Sequence, residues 1–232
     1  MYLPPGALSP GGQIQSFHTM KFPFDLPRIR GFTIVELLVV MAVIGILTSF
    51  VVSAASGLTE RGSRTKCLSN MRQIGVAMHL YAGENNARLP ASSHLRAADG
   101  SSLSWTNTLS EYLGDDFLGR CPSAPNHRAA ITYGWNDFLT DTNGAGVSLL
   151  ACRTPSATLA IAELATNQTS EHFHFRGSPR GRVTANQFKS AVNVECHGNT
   201  ANYLFLDGHA ENLAWSVVQP RLGKSNNPFL EP

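Results

Sequence analysis

Four cysteines, two histidine-bearing segments and one acidic residue inside an apolar run are the side chains of this 232-residue chain placed for chemistry. Cys67, Cys121, Cys152 and Cys196 form no C-x2-C pair, so a zinc knuckle is not indicated. Of the three possible pairings, the expected one joins Cys67 to Cys121 and Cys152 to Cys196, with four buried thiols as the alternative. His172-x-His174 sets two imidazoles on one face of a strand, and His197, Asp207 and His209 lie further on. Zinc wants about four converging N, S or O ligands, or three when catalytic. No spacing forces these two clusters together, so no metal and no cofactor is assigned, and His172, His174 and His209 are kept only as the residues to watch. His197 and Asp207 are separated by an extended stretch rising about 3.3 Å per residue. They are expected at opposite ends of one strand, with Cα atoms more than about 12 Å apart, and not as a catalytic dyad. Asp141-x-Asn143-Gly144 begins like a calcium loop but lacks the later Glu ligand, and reads as an Asn-Gly turn.

Composition narrows the classes further. Charged residues make up 15%, with Lys+Arg 18 against Asp+Glu 16. Phosphate contacts need clustered Lys and Arg, so nucleic-acid binding by a basic face is disfavoured.

The elements that must position these residues begin with an apolar segment. Residues 37–59 carry no charged side chain, and as a helix these 23 residues would span roughly 35 Å, enough for a hydrocarbon core of about 30 Å. A buried helix of a soluble domain would show a polar stripe, and this one has none. An ordinary secretory signal could use Lys21, Arg28 and Arg30 before the run and the small residues Ser53, Ala54 and Ala55 after it. Such a signal should not carry Glu36, because a carboxylate at a helix centre costs about 2.5–3.5 kcal/mol on insertion scales, and less near the end. Something must offset it.

Gly31-Phe32-Thr33-Ile34-Val35-Glu36-Leu37-Leu38 resembles the processing site of type IV prepilins and type II secretion pseudopilins. The resemblance implies cleavage after Gly31 by a membrane-bound prepilin peptidase, N-methylation of Phe32, and a role for Glu36, fifth in the mature chain, in assembly. It implies a single-pass protein of the inner (cytoplasmic) membrane with its globular domain outside the cytoplasm, where disulfides persist. From there it could be extracted into a filament or periplasmic pseudopilus. Its partners would be the peptidase, membrane lipid and copies of itself or other pilins through the N-terminal helix, with no nucleic acid. The protein would be a substrate of an enzyme and not an enzyme. Residues 1–31 would be the leader, with 1–19 outside any regular pattern and Met20 an alternative start. Loss of Lys21, Arg28, Arg30 and Asp25 with it leaves 15 basic and 15 acidic side chains. Two other readings stand beside this one: a membrane-tethered binding protein that never polymerises, and an exported metal-dependent enzyme.

Beyond the span, no proline occurs between Pro27 and Pro90, so one helix could run from 33 to 82. Its first half, 32–55, would cross the membrane. In its outer half, 56–83, Cys67, Met71, Ile74, Met78 and Tyr81 form a face that should dock on a globular domain over 84–232. There a short helix is expected around Trp105, Leu109, Tyr112 and Leu113. Strands are expected over 131–135, 158–164, 191–195, 203–206 and 209–214, with Asp207-Gly208 as a type I′ hairpin turn. A helical rod on a small antiparallel sheet is α+β, and that is also the pilin architecture. His197, nine residues, then Asp207-Gly208 resembles the H-x9-DG segment of large prepilin-like proteins. Residues 67–90, CLSNMRQIGVAMHLYAGENNARLP, and Cys121-Pro122 resemble the same subgroup, for which no chemistry is implied.

Overall fold

The computed structural model describes residues 31–92, 96, 100, 103–114, 119–141, 143–173, 175 and 182–232. The leader before Gly31 and His174 lie outside the described residues. The chain divides into two units, one ending at Thr48 and one from Ser49 to Pro232.

The first unit is the beginning of helix α1 (Ile34–Glu84). Thr33 and Glu36 form a capping box there: Glu36 N–H donates to Thr33 Oγ1 at 3.2 Å, and Thr33 N–H donates to Glu36 Oε2 at 2.9 Å. The apolar side chains of this stretch are exposed, Ile34 at 84%. By length and composition the helix can cross a membrane.

In the second unit α1 turns one face inward. Cys67, Met71, Ile74, Ala77 and Met78 are wholly buried, while Arg72, Val76 and Leu80 face out. The helix ends where Asn86 and Ala87 take positive φ, which closes the carbonyls of the last turn. Helix α2 (Trp105–Thr108) is capped by Ser104, and its Trp105 stacks on Trp135.

Five strands follow: β1 (Tyr133–Asn136), β2 (Leu159–Glu163), β3 (His172–Phe173), β4 (Thr200–Phe205) and β5 (Ala210–Ala214). They form one sheet in the order β3-β1-β2-β4-β5. The fold is α+β. The sheet is mixed and not purely antiparallel, because β3 runs parallel to β1.

Two local expectations are corrected. Residues 191–195 are not a strand: helix α3 (Ala185–Ala191) runs into them, started by a capping box between Thr184 and Gln187. Val192 forms an isolated bridge to Leu164, with Asn193 N–H donating to Glu163 O at 2.8 Å and Ala165 N–H to Ala191 O at 3.0 Å. The hairpin after β4 is not type I′. Gly208 N–H donates to Phe205 O and only Gly208 of the pair has positive φ (88°), so the loop holds three residues and closes with a glycine bulge. Helix α4 (Trp215–Val218) follows β5 directly.

Candidate functional site

The side chains that converge do not include His172 or His209, two of the histidines kept to watch. Cys67 comes from the buried face of α1, two turns beyond Glu60. Cys121 comes from the loop before β1, Glu163 from the end of β2, and Cys196 and His197 from the turn that enters β4. One ligand atom from each of Cys67, Cys121, Glu163 and His197 lies within 4.8 Å of all the others, and all four residues are buried.

The backbone dictates this meeting. Tyr133 pairs with Glu163 across β1 and β2, which sets the register at that end of the sheet. Thr132 Oγ1 accepts the N–H of Cys121 at 2.7 Å and holds the preceding loop against β1. His197 bridges to Thr200 at the head of β4.

His197 stands between two carboxylates. Its Nε2 is 2.8 Å from Glu163 Oε1 and its Nδ1 is 3.2 Å from Glu60 Oε1. Glu163, 1% exposed, also accepts the backbone N–H of Asn202 at 3.0 Å and its side-chain Nδ2 at 3.3 Å. Burial works against a charged imidazole, but the hydrogen bonds and charges of Glu163 and Glu60 outweigh it and hold His197 above its ordinary value. Tyr133 and Tyr203 are pushed up, first by burial and then by the nearby Glu163 charge.

Cys67 and Cys121 are joined as a disulfide. Cys152 and Cys196 are free, which corrects the expected second bridge. Cys152 points its sulfur at Ser148 O, 3.7 Å away within its own turn, whereas Cys196 Sγ lies 3.9 Å from Cys121 Sγ. Burial and then the Glu163 and Glu60 charges raise the Cys196 thiol well above its ordinary value.

The watched histidines are dispersed. His172 lies on β3 at one edge of the sheet, near Glu171. His209 lies in the β4–β5 hairpin at the other edge, where its ring stacks on Phe205 at 4.4 Å and its Nδ1 pairs with Asp207. His197 and Asp207 flank opposite ends of β4, so they form no dyad. Asp141 Oδ1 accepts the N–H groups of Asn143 and Ala145 in a turn with Gly144 at positive φ. Glu163 was missed by the reading of motifs. Its signal was a lone carboxylate in the apolar run Leu159–Leu164, where a charge survives only with partners.

Strand β4 is fastened to α1 along its length. His197 meets Glu60 before the strand, and Asn202 Nδ2 donates to Arg64 O at 3.4 Å in the middle. After the strand, Gly208 lies so close that a Cβ there would be 3.2 Å from His79 Cε1. A Cβ on Gly75 would be 3.1 Å from Gly208 O. The His and the Asp-Gly of the H-x9-DG segment thus mark the two ends where β4 touches the helix.

Two family comparisons bear on this arrangement. The family described as "Protein of unknown function (DUF1559)" matches residues 60–201, more than half of the chain and all of the converging cluster. The chain belongs to that family. A prokaryotic N-terminal methylation motif matches residues 26–52. Among relatives, "Type II secretion system core protein G" of Pectobacterium carotovorum is 31% identical over 98 residues, which cover 42% of this chain and 62% of that protein. The protein of the same name from Klebsiella pneumoniae is 30% identical over 43% of this chain and 71% of its own length. The Escherichia coli one is 35% identical over 25% of this chain and 39% of its own. The DUF1559 chain is therefore also a relative of type II secretion pseudopilins. No solved structure matches it.

Proposed function

We propose that this chain is a prepilin-like structural subunit of a type II secretion pseudopilus or a type IV pilus. A prepilin peptidase cuts after Gly31, Phe32 becomes the methylated amino terminus, and α1 then packs against copies of itself or other pilins. Before assembly the apolar part of α1 anchors the chain in the inner membrane, with the globular unit outside the cytoplasm. The observation that carries this reading is the methylation motif over 26–52, which runs into an apolar helix whose side chains from Ile34 to Val52 are exposed. Exposed apolar surface of that extent requires lipid or neighbouring helices. The pseudopilin relatives support the same role.

Glu36 fits it. In the single chain its carboxylate is held by Thr33 N–H and Thr33 Oγ1, both at 2.9 Å. After cleavage the amine of Phe32, its own or a neighbour's, becomes a second and charged partner. The globular unit supplies the outer surface, and its β4 strap keeps that surface fixed on the part of α1 from Glu60 to His79.

Replacing Gly31 tests the proposal. Gly31→Val should leave the chain uncut in the membrane and absent from sheared filaments or cross-linked pseudopili. Assembly of the uncut chain would overturn the reading.

A further inference from the structure

The converging cluster is more than a disulfide with neighbours. We propose that, in the dithiol form of the protein, Cys67, Cys121, Glu163 and His197 bind one divalent cation of the zinc class. This inference does not rest on the pilus reading.

The donor set is the first argument. Two thiolates, an imidazole and a carboxylate are ligands a tetrahedral zinc site accepts, at about 2.3 Å for sulfur and about 2.0–2.2 Å for nitrogen or oxygen. Around such an ion, neighbouring ligand atoms are about 3.3–3.8 Å apart, by tetrahedral geometry on those bond lengths. His197 Nε2 lies 2.8 Å from Glu163 Oε1 and 3.7 Å from Cys121 Sγ, with all four ligand atoms inside 4.8 Å. Small outward shifts of these atoms open the centre. The only large change is separation of the two sulfurs, which follows from their being thiols instead of a disulfide.

The surrounding shell is the second argument. A metal-binding imidazole usually donates its other ring N–H to a carboxylate, and ligating carboxylates are themselves hydrogen-bonded. Here Nδ1 of His197 faces Glu60 Oε1 at 3.2 Å while Nε2 faces the cluster. Glu163 is aimed by the backbone and side-chain N–H groups of Asn202, and Asn202 is in turn fixed by Asn212 at 2.9 Å. These contacts leave the metal-facing atoms oriented toward one point.

Binding is balanced without an electron carrier. The chain as synthesised already carries both thiols. On binding, the two thiol protons and any proton on Nε2 leave to solvent, and the ion takes two thiolates, one carboxylate and one neutral imidazole. Metal and disulfide exclude each other: when a disulfide of a thiol oxidant takes the two electrons by exchange and leaves as its dithiol, the Cys67–Cys121 bond forms and the ion is released. Cys196, free and 3.9 Å from Cys121, stays outside the ligand set.

The test uses the full chain in detergent, reduced with a phosphine under anaerobic conditions and titrated with Co2+. The expected result is thiolate-to-cobalt charge transfer with intense visible bands of a tetrahedral site, saturating at one ion per chain. The oxidised chain should give none, Cys152→Ser should be unchanged, and Glu163→Gln and His197→Ala should weaken binding at least tenfold. X-ray absorption of the zinc-loaded wild-type chain does not depend on any variant folding. It should find two sulfur and two nitrogen or oxygen neighbours. Absence of tetrahedral bands in the reduced chain, or a zinc shell of three or more sulfurs, would overturn the proposal.

Discussion

Glu36 and Glu163 both lie within apolar runs of the sequence, and each has hydrogen-bond partners of a different kind. Glu36 closes a capping box on Thr33, which ties it to the helix start even before any cleavage. This separates two properties of the side chain, hydrogen-bond acceptor and charge. Glu36→Gln keeps an acceptor for Thr33 and should insert, be cleaved and remain helical, yet assemble poorly. Glu36→Leu should also insert and be cleaved, since it removes the charge, and should fail at the same step. Cross-linking of surface filaments measures this, and normal assembly of both variants would show that the charge sets no register. Glu163 belongs to the folded core of the other unit. Glu163→Ala would strand His197 and the Asn202 N–H, and breaking such a buried pair costs about 3–5 kcal/mol. A urea titration of the detergent-solubilised chain should show a midpoint lowered to match, with the secondary structure retained in buffer.

Among the elements, β4 decides how the sheet sits on the second-unit part of α1. Gly208 combines a positive φ with a close approach to His79, so Gly208→Ala incurs both backbone strain of about 1–2 kcal/mol and a steric conflict. Adding His79→Ala should relieve the conflict but not the strain, so the double variant should regain only part of the lost stability. Full recovery would mean that the φ angle is of no consequence. The amphipathic face of α1 was legible in the sequence because it repeats every three or four residues, and the buried set Cys67, Met71, Ile74 and Met78 is that face. Four of the five expected strand stretches were legible through their apolar runs. The stretch at 191–195 was not, because Ala191-Val192-Asn193-Val194 alternates like a strand while the Thr184–Gln187 capping box upstream starts a helix that ends there. The two-residue β3 is too short for any period to show. The metal-like cluster was illegible for a different reason. Its members stand far apart in the chain, and only strand register and the β4 strap bring them together.

For the whole molecule, the cysteines report both topology and state. In the native oxidised chain, alkylation should label Cys152 first, Cys196 only after denaturation, and Cys67 and Cys121 only after reduction. Labelling of Cys67 ahead of Cys196 would contradict the burial order. The Cys67–Cys121 bridge spans 54 residues and ties α1 to the loop before β1. Its reduction should lower the stability of the globular unit by about 2–4 kcal/mol, and zinc added to the reduced chain should restore part of that. Filament assembly, as proposed, depends instead on the other end of the chain. The most direct measurement of the central claim is the amino terminus of the protein extracted from its native membrane, read by intact mass and by terminal peptide sequencing. The account expects a mature chain that begins at Phe32 and carries one methyl group on its amine. A terminus at Met1 or Met20, or one near Ala54 or Ala55 as an ordinary secretory signal would leave, would contradict it.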